Sequence, residues 1–180
     1  VIGYDLEAEK IAAAAAHGVL PATSAADLTA RANVVLICAT STDAVHQAVF
    51  GPEGVAEAGS AEKLLVDHST TVVQATRDMA AELLQKTGMG WIDAPVSGGP
   101  PAAGAGSLAI MAGGSEADIA RAAPLMADLA AQFTHMGPSG AGQVTKMINQ
   151  VLVLNNYAVL AEALALAEAG GIDAAKIPEA

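Results

Sequence analysis

The chain has 180 residues, 53% of them apolar and only 3% aromatic, and carries a formal charge of −11. That apolar content is ample for a core built from Ala, Val, Leu, Ile and Met. The acidic balance excludes the basic face that nucleic acid or an anionic bilayer would require. The single cysteine, Cys38, cannot close an internal disulfide. Within an apolar run it reads as a buried small hydrophobe in a reducing compartment, which points to a cytoplasmic protein. No uninterrupted apolar run approaches the ~20 residues of a membrane-spanning helix, and no basic, then apolar, leader opens the chain.

Short β-branched runs alternate with alanine-rich amphipathic stretches, the pattern of βαβ units in a mostly parallel, doubly wound α/β sheet. Strands are predicted at VIGYD (1–5), VVLICA (34–39), KLLVDH (63–68), GWIDAP (90–95), SLAIMAG (107–113) and QFTHMG (132–137). Helices are predicted at 7–16, 24–31, 43–50, 71–87 and 115–131. The second and fifth open on the capping sequences SAAD and SEAD, and the fourth stops at Gly88. Residues 94–106, APVSGGPPAAGAG, break the alternation and are expected to form a long functional loop. After Gly137 an apolar pattern runs to Ala169 without a breaker, a helix of roughly 45 Å. A domain boundary is therefore expected near residue 137, with 1–137 as the α/β domain and 138–180 as the start of an all-helical one.

Tyr4-Asp5 closes the opening strand ahead of a helix. An acid there can accept hydrogen bonds from an adenosine ribose and repel a 2′-phosphate, or it can simply cap the helix. Gly104 to Ala109 matches G-x-G-x-x-A but leads into a strand, so the helix dipole that would draw a pyrophosphate is absent. Asp93 to Gly99, DAPVSGG, places a serine and paired glycines at the end of a strand, a concavity suited to a carboxylate or phosphate oxygen unless it is a plain turn.

The most informative cation is Lys146. Between Val144 and Leu166 the only other ionisable side chains are Tyr157 and Glu162, whereas the other seven Lys and Arg lie in segments patterned as solvated faces. Helical spacing puts Gly142, Lys146, Asn149, Gln150 and Val153 on one stripe. A lysine snorkelling at a rim would explain the cation but not its two amide companions. The four histidines have no metal-ligand spacing, so no metal site is expected. Asp67-His68-Ser69 is discounted as a triad because neighbours on a strand face opposite ways, while Ser69 and Thr70 remain candidate ligand contacts. The methionines follow no single stripe and read as core filler.

DAPVSGGPPAAGAGSL (93–108), IMAGG (110–114) and GAGQVTKMINQ (140–150) together resemble the β-hydroxyacid dehydrogenase family, which includes 3-hydroxyisobutyrate dehydrogenases and tartronate semialdehyde reductases. The resemblance implies a Rossmann-type domain followed by helices, and hydride transfer between NAD, or NADP, and a small 3-hydroxy acid or its semialdehyde. It makes Lys146 the catalytic residue, and Ser97, Gly98 and Gly99 the holders of the substrate carboxylate. Asn149 orients the substrate, and the Asn149-Gln150 pair looks more like the tartronate semialdehyde reductases. Ala39, Thr40 and Thr70 match positions lining the cofactor, and Asp5 matches the ribose-binding acid of NAD-preferring members.

The family's first strand and glycine-rich turn would lie upstream of Val1, and most of its helical domain beyond Ala180, so the chain reads as incomplete at both ends. Ala102 stands where a glycine is often found. The long apolar helix implies a homodimer or homotetramer. Two other readings explain part of the pattern: a methyltransferase on a similar sheet, and a non-catalytic oligomerisation or scaffold module.

Overall fold

The computed structural model describes residues 1–179, and the chain divides into two compact units, residues 1–145 and the segment from Lys146 onward. The first unit runs β1 (Ile2–Gly3), α1 (Ala8–Ala15), β2 (Leu20–Pro21), α2 (Ala25–Arg31), β3 (Val34–Ile37), α3 (Thr42–Phe50), β4 (Leu64–Asp67), α4 (Val73–Thr87), β5 (Gly90–Asp93), β6 (Val96–Ser97), α5 (Gly99–Gly104), β7 (Leu108–Gly113), α6 (Glu116–Met126) and β8 (Ala130–Gly137). A 3₁₀ turn at Val55–Ala58 precedes β4. Helix α7 (Ala141–Ala169) begins in this unit and continues through the second, which ends in a 3₁₀ turn at Ala174–Glu179.

β1 and β2 form a small parallel pair, and the other six strands form one sheet in the order β3-β4-β5-β7-β6, with β8 also on β7. β3/β4, β4/β5 and β7/β8 are parallel, while β5 and β6 pair with β7 antiparallel. This is the mostly parallel α/β architecture expected. All four residues of β4 are buried because both sheet faces are covered. Leu65 packs on one side with Val45, Val49, Met79, Leu83 and Trp91. Leu64 and Val66 pack on the other with Ile92, Ile110, Ala122 and Met126.

The helix boundaries follow local chemistry. Ser24, Ser41 and Ser115 accept the backbone N–H groups of Asp27, Ala44 and Asp118, each satisfying a donor that the first turn leaves orphaned. Gly88, at φ 77°, closes α4 in the left-handed conformation that glycine enters without strain.

Several expectations need correction. Residues 94–106 are not one long loop: β6 and α5 lie within them, with Pro100 and Pro101 in the first turn of α5, where a missing N–H costs nothing. α6 stops at Met126, not residue 131, because Ala130 already pairs with Leu108 of β7. β2 is too short to signal itself in the sequence. Cys38 is exposed rather than buried, since it follows the last residue of β3. Met79, Met89 and Met126 do fill the core, but Met136 and Met147 are exposed. α7 spans 29 residues and is long and apolar enough to cross a membrane by length and composition, contrary to the reading of the bare sequence. The polar residues Lys146, Asn149, Gln150, Asn155 and Asn156 had broken the apolar run without lowering the average enough.

Candidate active site

The C-terminal ends of β3 and β4 form the edge where open parallel sheets receive ligands. Buried Ser69 ties the two together: its Oγ accepts Ala39 N–H at 2.8 Å, and its own N–H donates to Asp67 Oδ1 at 2.9 Å. Thr42 Oγ1 accepts Val72 N–H at 3.1 Å, and the hydroxyls of Thr71 and Thr76 pair at 2.6 Å. Thr40 and Thr70 stand exposed on this hydrogen-bonded edge, with Ala39 half-buried between. Asp5 follows β1 and is exposed, its Oδ1 accepting Glu7 N–H at 2.9 Å. That bond forms a turn ahead of α1 and not a helix cap, since Glu7 is the N-cap and no side chain caps it, and a carboxylate retains acceptor capacity beyond one such bond.

The serine-glycine loop owes its shape to glycine. Gly98 has φ 121° and Gly99 φ 66°, conformations that L side chains rarely adopt, and a Cβ on Gly98 would lie 2.5 Å from the Ala102 methyl. Ala102 therefore packs onto the space the missing side chain leaves. Ser97, at the end of β6, is half-buried beside these two turns.

In α7, Lys146, Asn149, Gln150 and Val153 are half-buried, while Met147, Ile148, Val151, Leu152 and Leu154 are exposed. The stripe expected from helical spacing is therefore the sheltered face, and Asn149 Nδ2 donates to Gln150 Oε1 at 3.2 Å. Burial holds the Lys146 ammonium below the usual lysine range. Met147 and Ile148, at 56% and 54% exposure, lie outside this sheltered face.

The start of α7 carries features the sequence reading missed. Asp93 is fully buried at the end of β5, and its Oδ1 and Oδ2 accept Gly140 N–H (2.7 Å) and Gln143 N–H (3.0 Å). A carboxylate at the positive end of a helix is doubly favoured, by hydrogen bonding and by the dipole. The intervening glycines allow the approach: a Cβ on Gly142 would overlap the carbonyl oxygens of Asp93 and Met111, and one on Gly140, at φ 87°, would meet the Arg77 side chain. Burial raises the Asp93 pKa against the pull of those N–H donors. Burial likewise pushes Asp67 up to about 6, opposed by its bonds to Ser69 and aided by Asp93. His68 is pushed down by burial and bonds through Nδ1 to Ala94 O at 2.8 Å. The sequence signal was present: Asp67 and Asp93 each end a strand whose preceding residues are all apolar.

Thr40, Thr70 and Asp5 are of types that can meet the hydroxyls and phosphates of a dinucleotide. Thr40 and Thr70 offer hydroxyls on the ligand-receiving edge, and Asp5 offers an acceptor beyond the parallel β1/β2 pair. The Gly104 to Ala109 segment runs from α5 into β7, so no helix start stands behind it to hold a pyrophosphate.

Residues 1–137 match the family described as the NAD binding domain of 6-phosphogluconate dehydrogenase, and residues 140–180 match the NAD-binding region of NADP-dependent 3-hydroxyisobutyrate dehydrogenase. An uncharacterized oxidoreductase of Synechocystis sp. is 37% identical over 95% of this chain and 59% of its own length. The 2-hydroxy-3-oxopropionate reductase of Escherichia coli is 33% identical over 91% of this chain and 56% of its own. The solved structure of Mycobacterium tuberculosis 3-hydroxyisobutyrate dehydrogenase with L-serine superposes at a TM-score of 0.86, with 35% identity over 96% of this chain and 58% of that one. The chain thus spans a little under three fifths of the length of these relatives. The sheet order, the serine-glycine turn and the lysine-bearing helix converge with these matches on one conclusion: the chain belongs to the β-hydroxyacid dehydrogenase family.

Proposed function

We propose that this chain is the cofactor-binding and catalytic portion of an NAD(P)-dependent dehydrogenase acting on a small 3-hydroxy acid or its semialdehyde. The observation that carries the reading is the sheltered stripe of α7, where a lysine with a depressed pKa shares one helix face with two amides. Ser97, Gly98 and Gly99 hold the substrate carboxylate through the hydroxyl and backbone N–H groups of their turn. Asn149 and Gln150 orient the hydroxyl-bearing carbon. Lys146 takes the hydroxyl proton on oxidation and returns one to the carbonyl oxygen on reduction, a role favoured by burial that destabilises the ammonium. When bound, NAD(P) supplies the hydride acceptor or donor. Asp5 meets the ribose hydroxyls, which favours NAD, while Ala39, Thr40 and Thr70 line the dinucleotide.

The domain division is placed near residue 137, the protein in the cytoplasm, and the assembly as a homodimer or homotetramer through α7. The pair Asn149-Gln150 favours 2-hydroxy-3-oxopropionate, the substrate in the name of the Escherichia coli relative, over 3-hydroxyisobutyrate.

Thermal stabilisation by NADH and by NADPH, compared between this chain and one extended upstream through the family's glycine-rich turn, tests the cofactor assignment, and stabilisation of neither chain would remove the oxidoreductase reading. Lys146→Met is expected to lower kcat about 10²- to 10⁴-fold while leaving NADH binding within about twofold of wild type. Steady-state kinetics beside a binding titration separates the two, and a Lys146→Met enzyme with wild-type turnover would take the proton transfer away from this residue.

A further inference from the structure

Beyond β4 the chain turns through Ser69, Thr70 and Thr71, and one distant side chain clasps that turn. Gln143, 2% exposed, accepts Thr71 N–H through Oε1 at 3.1 Å and donates from Nε2 to Ser69 C=O at 2.8 Å. A peptide C=O only accepts and a peptide N–H only donates, so chemistry fixes which way the amide points. The side chain thereby imitates a neighbouring strand, adding one more rung to the ladder after β4 has ended.

Gln143 is itself anchored. Its backbone N–H donates to Asp93 Oδ2, while Gly140 N–H donates to Oδ1 of the same carboxylate. Four buried hydrogen bonds thus join residues 69–71, Asp93 and the first turn of α7. None of the roles given above to the lysine, the amides or the serine-glycine loop uses Gln143.

Thr70 is the exposed residue held between the two atoms that Gln143 grips. We propose that Gln143 is a positioning residue for cofactor binding: it fixes the Ser69–Thr71 turn so that Thr70 is presented to the dinucleotide. This rests on the oxidoreductase reading. The amide is required because an ionised glutamate would turn an oxygen toward the Ser69 carbonyl while Asp67 and Asp93 are already buried in the same network. His68 follows β4 beside Ser69, Arg77 on α4 donates from Nε to Ser139 O, and Lys146 stands one helical turn beyond Gln143 on α7. A protonated glutamate, with one O–H donor and one C=O acceptor, restores both bonds.

The test uses the full chain with Gln143→Met, which keeps length but loses both bonds, and Gln143→Glu. In Gln143→Met without cofactor, amide exchange at Thr71 is expected to accelerate about tenfold or more. The KM for the dinucleotide is expected to rise by a similar factor, while kcat and the substrate KM stay within about twofold. Gln143→Glu is expected to behave like the methionine variant near about pH 8 and to recover toward wild type as the pH falls to about 5, in excess of any change in wild type caused by Asp67. Unchanged Thr71 exchange and dinucleotide KM in Gln143→Met would overturn the proposal, as would losses confined to kcat or the substrate KM. Wild-type chain that binds neither NADH nor NADPH even when extended upstream through the family's glycine-rich turn, with Thr71 exchange still accelerated by the substitution, would instead overturn the oxidoreductase reading and the cofactor role with it. Should the methionine variant not fold, pH-independent dinucleotide KM in Gln143→Glu overturns the proposal by itself.

Discussion

At the scale of single residues, the buried carboxylates dominate. Asp67 is fully buried, and its folded pKa of about 6 lies above the 3.8 it has when free. Its contribution to stability is therefore complete below about pH 4 and lost as the pH rises through about 6. His68, with a lowered pKa, acts in the opposite direction, contributing above about pH 6.5 and losing that contribution as the pH falls. Asp67→Asn keeps an oxygen for Ser69 N–H and removes the ionisation. The variant is expected to match wild type near about pH 4 and to exceed it at about pH 7.5 by up to about 3 kcal/mol, from the one-unit equivalence of 1.36 kcal/mol. Urea melts at the two pH values check this, and an equal difference at both would show that Asp67 ionisation does not load the fold.

Gly142 makes a second prediction at this scale. Its missing Cβ is what lets α7 approach the carbonyls of β5 and β7. Gly142→Ala is expected to destabilise by about 1–3 kcal/mol through overpacking against backbone, despite the better helix propensity of alanine. A rise in melting temperature would sink that account.

At the scale of elements, legibility followed length and periodicity. β3, β4, β5, β7 and the capped helices were readable because alternation, capping serines and Gly88 act locally. β2 and β6, two residues each, carry no periodic signal, and α5 hides in a run of Gly, Pro and Ala that also spells a loop. The serine-glycine turn and the lysine stripe were legible as residue types at fixed spacing. The clasp on the Ser69–Thr71 turn was not, because Gln143 meets Ser69 and Thr71 from more than seventy positions away. Lys63 is a similar case: patterned as a solvated cation, it donates to the carbonyls of Thr29, Ala30 and Ala32 at the end of α2, where a cation complements the dipole.

At the scale of the whole molecule, α7 is the outstanding surface. Leu152, Leu154, Val159, Leu160 and Leu166 are each more than half exposed, an apolar display that monomeric soluble proteins rarely maintain. With oligomerisation proposed through this helix, sedimentation velocity is expected to show concentration-dependent association that Leu152→Glu combined with Leu160→Glu reduces to monomer. Monomeric wild-type chain at tens of micromolar would oppose it.

The carboxylate of Asp93 also has a consequence for how these motifs can be moved. It is the first letter of DAPVSGG and the anion on which GAGQVTK begins its helix, so two motifs that look separate in the sequence meet in one side chain. Transplanting the lysine helix alone into another scaffold would deliver a helix start without its counter-charge. Transplanting the serine loop alone would leave a buried negative charge with nothing to answer it. Anyone rebuilding this chemistry elsewhere has to carry both pieces and the spacing between them as a single graft.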